Sequence, residues 1–263
     1  CFDRKRRSKR TAKAEMPEVA VVVLTYKHES YIAECLRSVL NQRGQFRMHV
    51  IIIDDASPDA TAQVVKSIIA ESRDDRINID FQTNAHNVGV VANLAKGMRE
   101  AAGCDYLTFC EGDDFWSSEK RIQEHIDFLQ KLPDAVMSFN TIELCGTDGL
   151  SRETFADHAA LKGDRVDGLQ LAENNLIGNF TACFYRGELV DVIPQEIFDL
   201  YAVDWLINLY CAQFGPIAHL KKSLSVYRQH EGGEWSARRE LDKINTLLSH
   251  IADYNAFLDF NYD

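Results

Sequence analysis

The stretch Tyr106-Leu107-Thr108-Phe109-Cys110-Glu111-Gly112-Asp113-Asp114-Phe115-Trp116 joins an apolar run to three carboxylates gathered about one glycine. The run reads as a buried strand, and the acids follow at its C-terminal end. Carboxylates this close repel one another unless a cation stands among them or some of them bind protons. Open α/β sheets bind their ligands beyond the C-terminal ends of their strands. The stretch therefore predicts a strand that delivers a divalent-cation site to that edge, the cation in turn holding the diphosphate of a nucleotide.

Working upstream, Val19–Leu24 and His49–Ile53 are continuous, mostly β-branched runs, and Ile77–Phe81 alternates; all three predict strands. Between them lie helical periodicities. Tyr31, Ile32, Cys35, Leu36, Val39 and Leu40 repeat at helical spacing after Glu29-Ser30, which offers polar capping. Ser57-Pro58-Asp59 predicts a helix start with Ser57 as cap and Pro58 in the first position, running to about Ser72. A third helix is expected over Val90–Ala102, after the polar turn Asn84–Gly89. Strands alternating with helices predict an α/β fold, a Rossmann-like and mostly parallel sheet with helices on both faces.

Downstream, Ser118–Leu132 predicts an amphipathic helix and Ala135–Leu144 a strand, while residues 146–168 read as a long loop. Cys183–Arg186 and Leu224–Arg228 predict strands, and Val203–Gln213 a helix. Ser236–Leu258 predicts a long amphipathic C-terminal helix. Its apolar stripe is expected to pack on its own domain, with a second copy or a neighbouring domain as the alternative. The organisation is then a basic linker or tail at 1–17, one domain at 18–235 and a C-terminal helical extension at 236–263.

The net charge of −11 over 263 residues argues against nucleic acid as a partner of the body of the chain. Residues 1–20 run against that trend, with seven Lys/Arg against three acids. This arm reads as a solvated linker, or as a peripheral contact with an anionic membrane surface. Seven cysteines without a CxxC pair suggest a reducing, cytoplasmic compartment. No apolar run approaches the roughly 18 residues that span a bilayer, and no apolar segment follows the basic start as in a signal peptide.

No G-x-G-x-x-G follows the first strand, and neither a P-loop nor a G-x-S-x-G elbow occurs, so dinucleotide, P-loop and serine-hydrolase chemistries are set aside. The strand ends carry Thr25-Tyr26, Asp54-Asp55 and the cluster Glu111, Asp113 and Asp114 instead. Hard cations such as Mg²⁺ or Mn²⁺ prefer carboxylate oxygen, and Mn²⁺ also accepts imidazole. Such an ion can stabilise a departing nucleoside diphosphate. A nucleotidyltransferase needs a similar cluster, but a Gly-rich, basic loop should then follow the first strand, and Thr25-Tyr26-Lys27-His28-Glu29 contains no glycine. An inactive nucleotide- or sugar-binding module of a larger assembly is the other alternative.

Taken together, Thr25-Tyr26, Asp54-Asp55-Ala56-Ser57, Asn87-Val88-Gly89 and Glu111-Gly112-Asp113-Asp114-Phe115-Trp116 resemble the donor-binding motifs of inverting family 2 glycosyltransferases with the GT-A fold. Ala202-Val203-Asp204-Trp205 is similar to the segment that carries the family's base, and Tyr227-Arg228-Gln229-His230 to its tail motif. The resemblance spans about residues 18–236. It implies that Thr25, Tyr26 and Asp55 bind the nucleoside, that Glu111 faces the ribose, and that Asp113, Asp114 and His230 serve a Mn²⁺ or Mg²⁺ ion. It further implies that Asp204 is the general base, acting on a hydroxyl of a glycan or glycolipid acceptor with a nucleotide-sugar, most simply a UDP-sugar, as donor. Trp116 and Trp235 are candidates for the acceptor wall, with packing as the alternative.

Overall fold

Among the described residues, ten strands share a single sheet whose order is β3-β2-β1-β4-β9-β6-β10-β5, with β7 added beside β6 and β8 beside β10. The computed structural model describes residues 16–146, 152–155, 158, 161, 163–201, 203–233 and 238–259. Most of the basic arm, Ala202 and Trp235 lie outside these residues.

The first half of the sheet follows the sequence closely. Strands β1 (Glu18–Thr25), β2 (Arg47–Asp54), β3 (Ile77–Thr83) and β4 (Tyr106–Phe109) pair in parallel. Helices α1 (Ile32–Leu40), α2 (Thr61–Glu71) and α3 (Val90–Glu100) make the crossovers. The alternation along β1 assigns its two faces. Val19, Val21 and Val23 pack with α1, α2 and α4 (Arg121–Lys131), whereas Ala20 and Val22 pack with α3 and with Leu206, Ile207 and Leu209. Each fully buried valine, leucine or isoleucine contributes about 1.5–3 kcal/mol, so both faces of the sheet need their helices.

Beyond β4 the sheet is mixed. Strands β5 (Phe115–Trp116), β6 (Met137–Cys145), β7 (Arg152–Thr154), β8 (Arg165–Val166), β9 (Cys183–Arg186) and β10 (Ile217–Arg228) complete it. β9 runs antiparallel to β4 and β6, β7 to β6, and β5 and β8 to β10, while β6 and β10 are parallel. The parallel pairing expected for most of the sheet is continuous over β3-β2-β1-β4 and recurs between β6 and β10. Strand β10 begins well before Leu224, because exposed Lys221, Lys222 and Ser223 interrupt an otherwise buried pattern at a register shift. Short helices α5 (Gly168–Glu173) and α6 (Gly187–Val190) precede α7 (Asp204–Ala212) and the C-terminal α8 (Glu240–Phe257).

Two helix starts differ from expectation. α2 begins at Thr61 rather than near Pro58, because Ser57 Oγ is occupied in accepting the N–H of Lys27 (2.9 Å), while Asp59 accepts the N–H of Thr61 (3.1 Å) just before the helix. Glu29 does not cap its own helix; it accepts the N–H of Ala60 at 2.8 Å. The β1–α1 and β2–α2 loops therefore hold each other across the C-terminal edge of the sheet. Non-glycine residues Lys27 and Ala56 adopt left-handed φ values of 60° and 58° in those two loops.

The stripe of α8 divides. Tyr254 and Leu258 are buried against the domain, and the Tyr254 hydroxyl donates to the Tyr201 carbonyl at 2.6 Å. Leu241, Ile244, Leu248 and Ile251 are exposed. Packing on its own domain thus accounts for the C-terminal part of the helix alone. Among the described residues, no helix is long and apolar enough to cross a membrane.

Candidate active site

The C-terminal ends of β1, β2 and β4 bring Thr25, Asp55 and the acidic stretch to one edge. Gly112 lets them meet. Its N–H donates to the Leu24 carbonyl at 2.9 Å. A methyl group built on it would come within 2.7 Å of His28 Nδ1 and 2.8 Å of Thr25 Cβ and Oγ1, so only glycine fits between the two strand ends.

Asp113 faces two imidazoles. Its Oδ2 lies 3.0 Å from His230 Nε2 and 3.7 Å from His28 Nε2. Burial opposes ionisation of Asp113, but the His230 hydrogen bond and the fields of both histidines outweigh it and hold its carboxyl below the usual range. His28 itself is lowered, chiefly by burial, against the attraction of Asp113. Tyr31 supports His230 from the side, with ring centroids 4.7 Å apart.

Asp114, expected beside Asp113 on a metal, turns its carboxylate inward in this structure. It is 1% exposed. Its Oδ2 accepts from Asn179 Nδ2 (2.8 Å) and Thr181 Oγ1 (2.7 Å), and its Oδ1 from the backbone N–H of Arg228 (2.9 Å). Burial and then the charge of Asp113 push its carboxyl well up, against these three hydrogen bonds. Asp114 is thus the tie that joins the segment after β4, the short 3-10 turn Phe180–Ala182 and the end of β10. Arg228 reinforces it, donating through Nε to the Asp113 carbonyl (3.0 Å) and through NH2 to Glu34 (2.6 Å).

Glu111 is half-buried, and its backbone N–H donates to Thr181 Oγ1 at 3.1 Å. Burial raises its carboxyl well above the usual range, and Asp114, Asp113 and Asp204 add to the rise. That last influence places Asp204 in the same electrostatic neighbourhood, although it comes from the first turn of α7. Burial raises Asp204 to about 6, opposed by the hydrogen bond from Asn175 Nδ2 at 3.1 Å.

The nucleoside candidates are arranged unequally. Asp55 accepts Asn84 Nδ2 (2.8 Å), Val88 N–H (2.8 Å) and Gly89 N–H (2.9 Å). Burial opposes its ionisation, but these bonds prevail and lower its carboxyl. Asp55 therefore shapes the 84–89 turn, whose Gly89 carries a φ of 88°. Tyr26 is half-buried, with Lys27 Nζ 4.9 Å from its ring centre. Thr25 Oγ1 is buried without a hydrogen-bond partner. Trp116 is not an acceptor wall. It is 4% exposed, and the buried Arg121 guanidinium lies 4.4 Å over its ring.

Sequence reasoning passed over His28, Asn175, Asn179, Thr181 and Arg228. His28 carried one usable signal, its position three residues beyond a strand end. The other four follow no local pattern, because their partners come from remote parts of the chain.

The structure thus presents a mixed sheet with an acidic, histidine-flanked edge and a half-buried acid on a later helix, and comparisons with known proteins identify its class. The model of glycosyl transferase family 2 matches residues 20–192, and the chain belongs to that family. An uncharacterised protein of Mycobacterium tuberculosis, Rv1520, is 32% identical over 244 residues, which are 92% of this chain and 68% of that protein. Among solved structures, Staphylococcus aureus TarS residues 1–349 in complex with UDP-GlcNAc superpose with a TM-score of 0.62 at 21% identity, over 84% of this chain and 61% of that one. The mannosyltransferase PcManGT of Pyrobaculum calidifontis, in complex with GDP-Man and Mn²⁺, gives 0.63 at 17% identity, over 91% and 64%. The chain thus has the GT-A type of α/β fold and is a family 2 glycosyltransferase domain. It spans less than two thirds of either solved chain. The family assignment sets the nucleotidyltransferase alternative aside.

Proposed function

We propose that this domain transfers a sugar, with inversion, from a nucleotide-sugar, most simply a UDP-sugar, to a hydroxyl of a glycan or glycolipid acceptor, and that it uses Mn²⁺ or Mg²⁺. The observation that supports the reading best is the pairing of Asp113 Oδ2 with His230 Nε2 at 3.0 Å, at the edge where β1, β2 and β4 end. The TarS and PcManGT complexes support a sugar nucleotide as donor.

The residues present fit a divalent cation. Asp113 Oδ2 and His230 Nε2 stand 3.0 Å apart at the sheet edge, and burial, then neighbouring carboxylates, push up Glu111 and Asp114 beside them. A carboxylate with an imidazole is a donor set that Mn²⁺ accepts. Asp113 and His230 would hold the ion, which would supply Lewis-acid stabilisation of the leaving diphosphate. Thr25 and Tyr26 bind the nucleoside, Tyr26 by stacking, while Asp55 holds the 84–89 turn against it and Glu111 meets the ribose. Asp204 takes the proton of the acceptor hydroxyl, oriented by Asn175. A positioned base contributes about 10²–10⁴-fold. The free thiols of all six described cysteines support a cytoplasmic setting, and the basic arm at 1–17 a peripheral contact with the inner membrane face.

The deciding experiment is a thermal-shift screen of UDP, GDP, dTDP and CMP with and without Mn²⁺, paired with transfer assays on wild type and Asp204→Asn. Metal-linked stabilisation by one nucleotide, with transfer lost and binding kept in Asp204→Asn, is the expected result. Stabilisation without any transfer by the wild type identifies an inactive binding module. Absence of stabilisation by every nucleotide overturns the reading.

A further inference from the structure

We propose that the C-terminal helix α8 serves the transfer reaction: Tyr254, with His250, is a positioning residue that fixes the chain leading into α7 and thereby the place of Asp204. The inference rests on the functional reading above, in which Asp204 is the base, and extends it to an element that reading does not use.

Asp204 stands in the first turn of α7, and that turn starts weakly. Its N-cap is Val203, whose side chain offers no acceptor to the free N–H groups that a helix start presents. The turn therefore depends on what holds the chain on either side of it. After Asp204, the Trp205 indole N–H donates to the Leu171 carbonyl at 2.7 Å. Before it, the hold comes from α8, 53 residues farther along the chain. The Tyr254 hydroxyl donates to the Tyr201 carbonyl at 2.6 Å. The His250 ring stacks on the Tyr201 ring, with centroids 5.0 Å apart and planes at 17°. Tyr201 is thus gripped by backbone and ring just ahead of the base.

The grip is more than general packing. Tyr254 lies in the same apolar cluster as Leu206 and Ile207 of α7, where a phenylalanine ring would serve for burial alone. A buried hydroxyl has to find an acceptor, and this one takes the Tyr201 carbonyl. Burial, then the charges of Tyr201 and Asp204, push the Tyr254 phenol up, so it remains a donor and lies within the field of the base. One turn farther, Phe257 meets Tyr210 of α7 with ring centroids 5.9 Å apart. The turns of α8 that make these contacts are those that bury Tyr254 and Leu258, whereas Leu241, Ile244, Leu248 and Ile251 stay exposed. The part of the helix that docks is therefore the part that meets Tyr201 and α7. Loosening it shifts the first turn of α7 toward a frayed state, and Asp204 moves with that turn.

Tyr254→Phe keeps the ring and removes the donor, while His250→Ala removes the stack. In steady-state transfer assays kcat should fall roughly 2–10-fold in each, the worth of one such contact, with donor KM and UDP affinity unchanged. Hydrogen–deuterium exchange followed by mass spectrometry should quicken over residues 201–207 and stay as in wild type over β1 to β4. Thermal midpoints identify which variant is folded, and either folded variant suffices. A wild-type kcat in a folded variant overturns the role of α8 and leaves the functional reading standing, whether or not exchange quickens. A fall in kcat matched by an equal loss of donor affinity does the same, because it marks general loosening. Wild-type turnover in Asp204→Asn, or no transfer by the wild type, overturns the functional reading and this role together.

Discussion

Asn175 Nδ2 donates to Asp204 Oδ2 at 3.1 Å, so the acid raised by burial to about 6 is steadied in its charged form by one neutral amide. A base must be deprotonated to act, so turnover at saturating substrate should rise with pH through about 6. Removing the amide takes away a bond that favours the carboxylate. Asn175→Ala should therefore move the acid limb upward by up to about one unit, with a plateau rate closer to wild type than that of Asp204→Asn. A pH–rate profile of the two variants measures this, and an unmoved limb counts against Asp204 as the base.

The same raised acid has a thermodynamic consequence. Its folded value exceeds its unfolded one, so between them the native state binds more protons, and stability falls as pH rises through that window. Above about pH 6 the folded chain carries the full cost of a buried charge. Asp204→Asn should consequently melt higher than wild type at pH 7.5 while losing transfer, and the gain should shrink as pH falls below 5. Thermal melts at both pH values check the sign.

Adjacent acids should respond unequally to the same substitution. Asp114 receives three donors, and an amide in its place sets an N–H₂ against at least one of them. Asp114→Asn should destabilise the domain by about 2–4 kcal/mol in a denaturant titration. Asp113→Asn should cost less stability than that and abolish Mn²⁺-linked UDP binding. Equal stability losses in the two variants contradict the division of labour.

Gly112→Ala should damage both properties together. The added methyl meets the His28 ring and the end of β1 at under 3 Å, so one of them must shift. A loss of about 1–3 kcal/mol is expected, with Mn²⁺–UDP affinity reduced even where the variant remains folded. Calorimetry on the folded variant measures this, and unchanged affinity shows that the strand ends need not touch.

How much of this was legible in the sequence depends on how local each signal is. The strands β1, β2 and β4 announce themselves because they are buried on both faces, and their polar ends locate the ligand edge. Asp113, His230 and Asp204 were reached through resemblance of short motifs. Nothing in Asp113-Asp114 says which carboxylate turns inward. That is decided by Asn179, Thr181 and the Arg228 N–H, all far along the chain. Strand β10 was cut short because Lys221-Lys222-Ser223 breaks the apolar pattern without breaking the pairing with β6.

The end of β10 also orders events in time. Arg228 and His230 close spans of 114, 115 and 117 residues onto the acidic stretch, and the Arg228 pair with Glu34 closes 194. Contacts so distant form late, after the chain has met its loop-closure entropy, and a chain made from its N-terminus emerges with β1 to β4 long before β10. The edge carrying Thr25 and Asp55 is therefore available to a half-made molecule, whereas the contact of Asp113 with His230 waits for the end of β10. Maturation of the domain and acquisition of its chemistry become the same event.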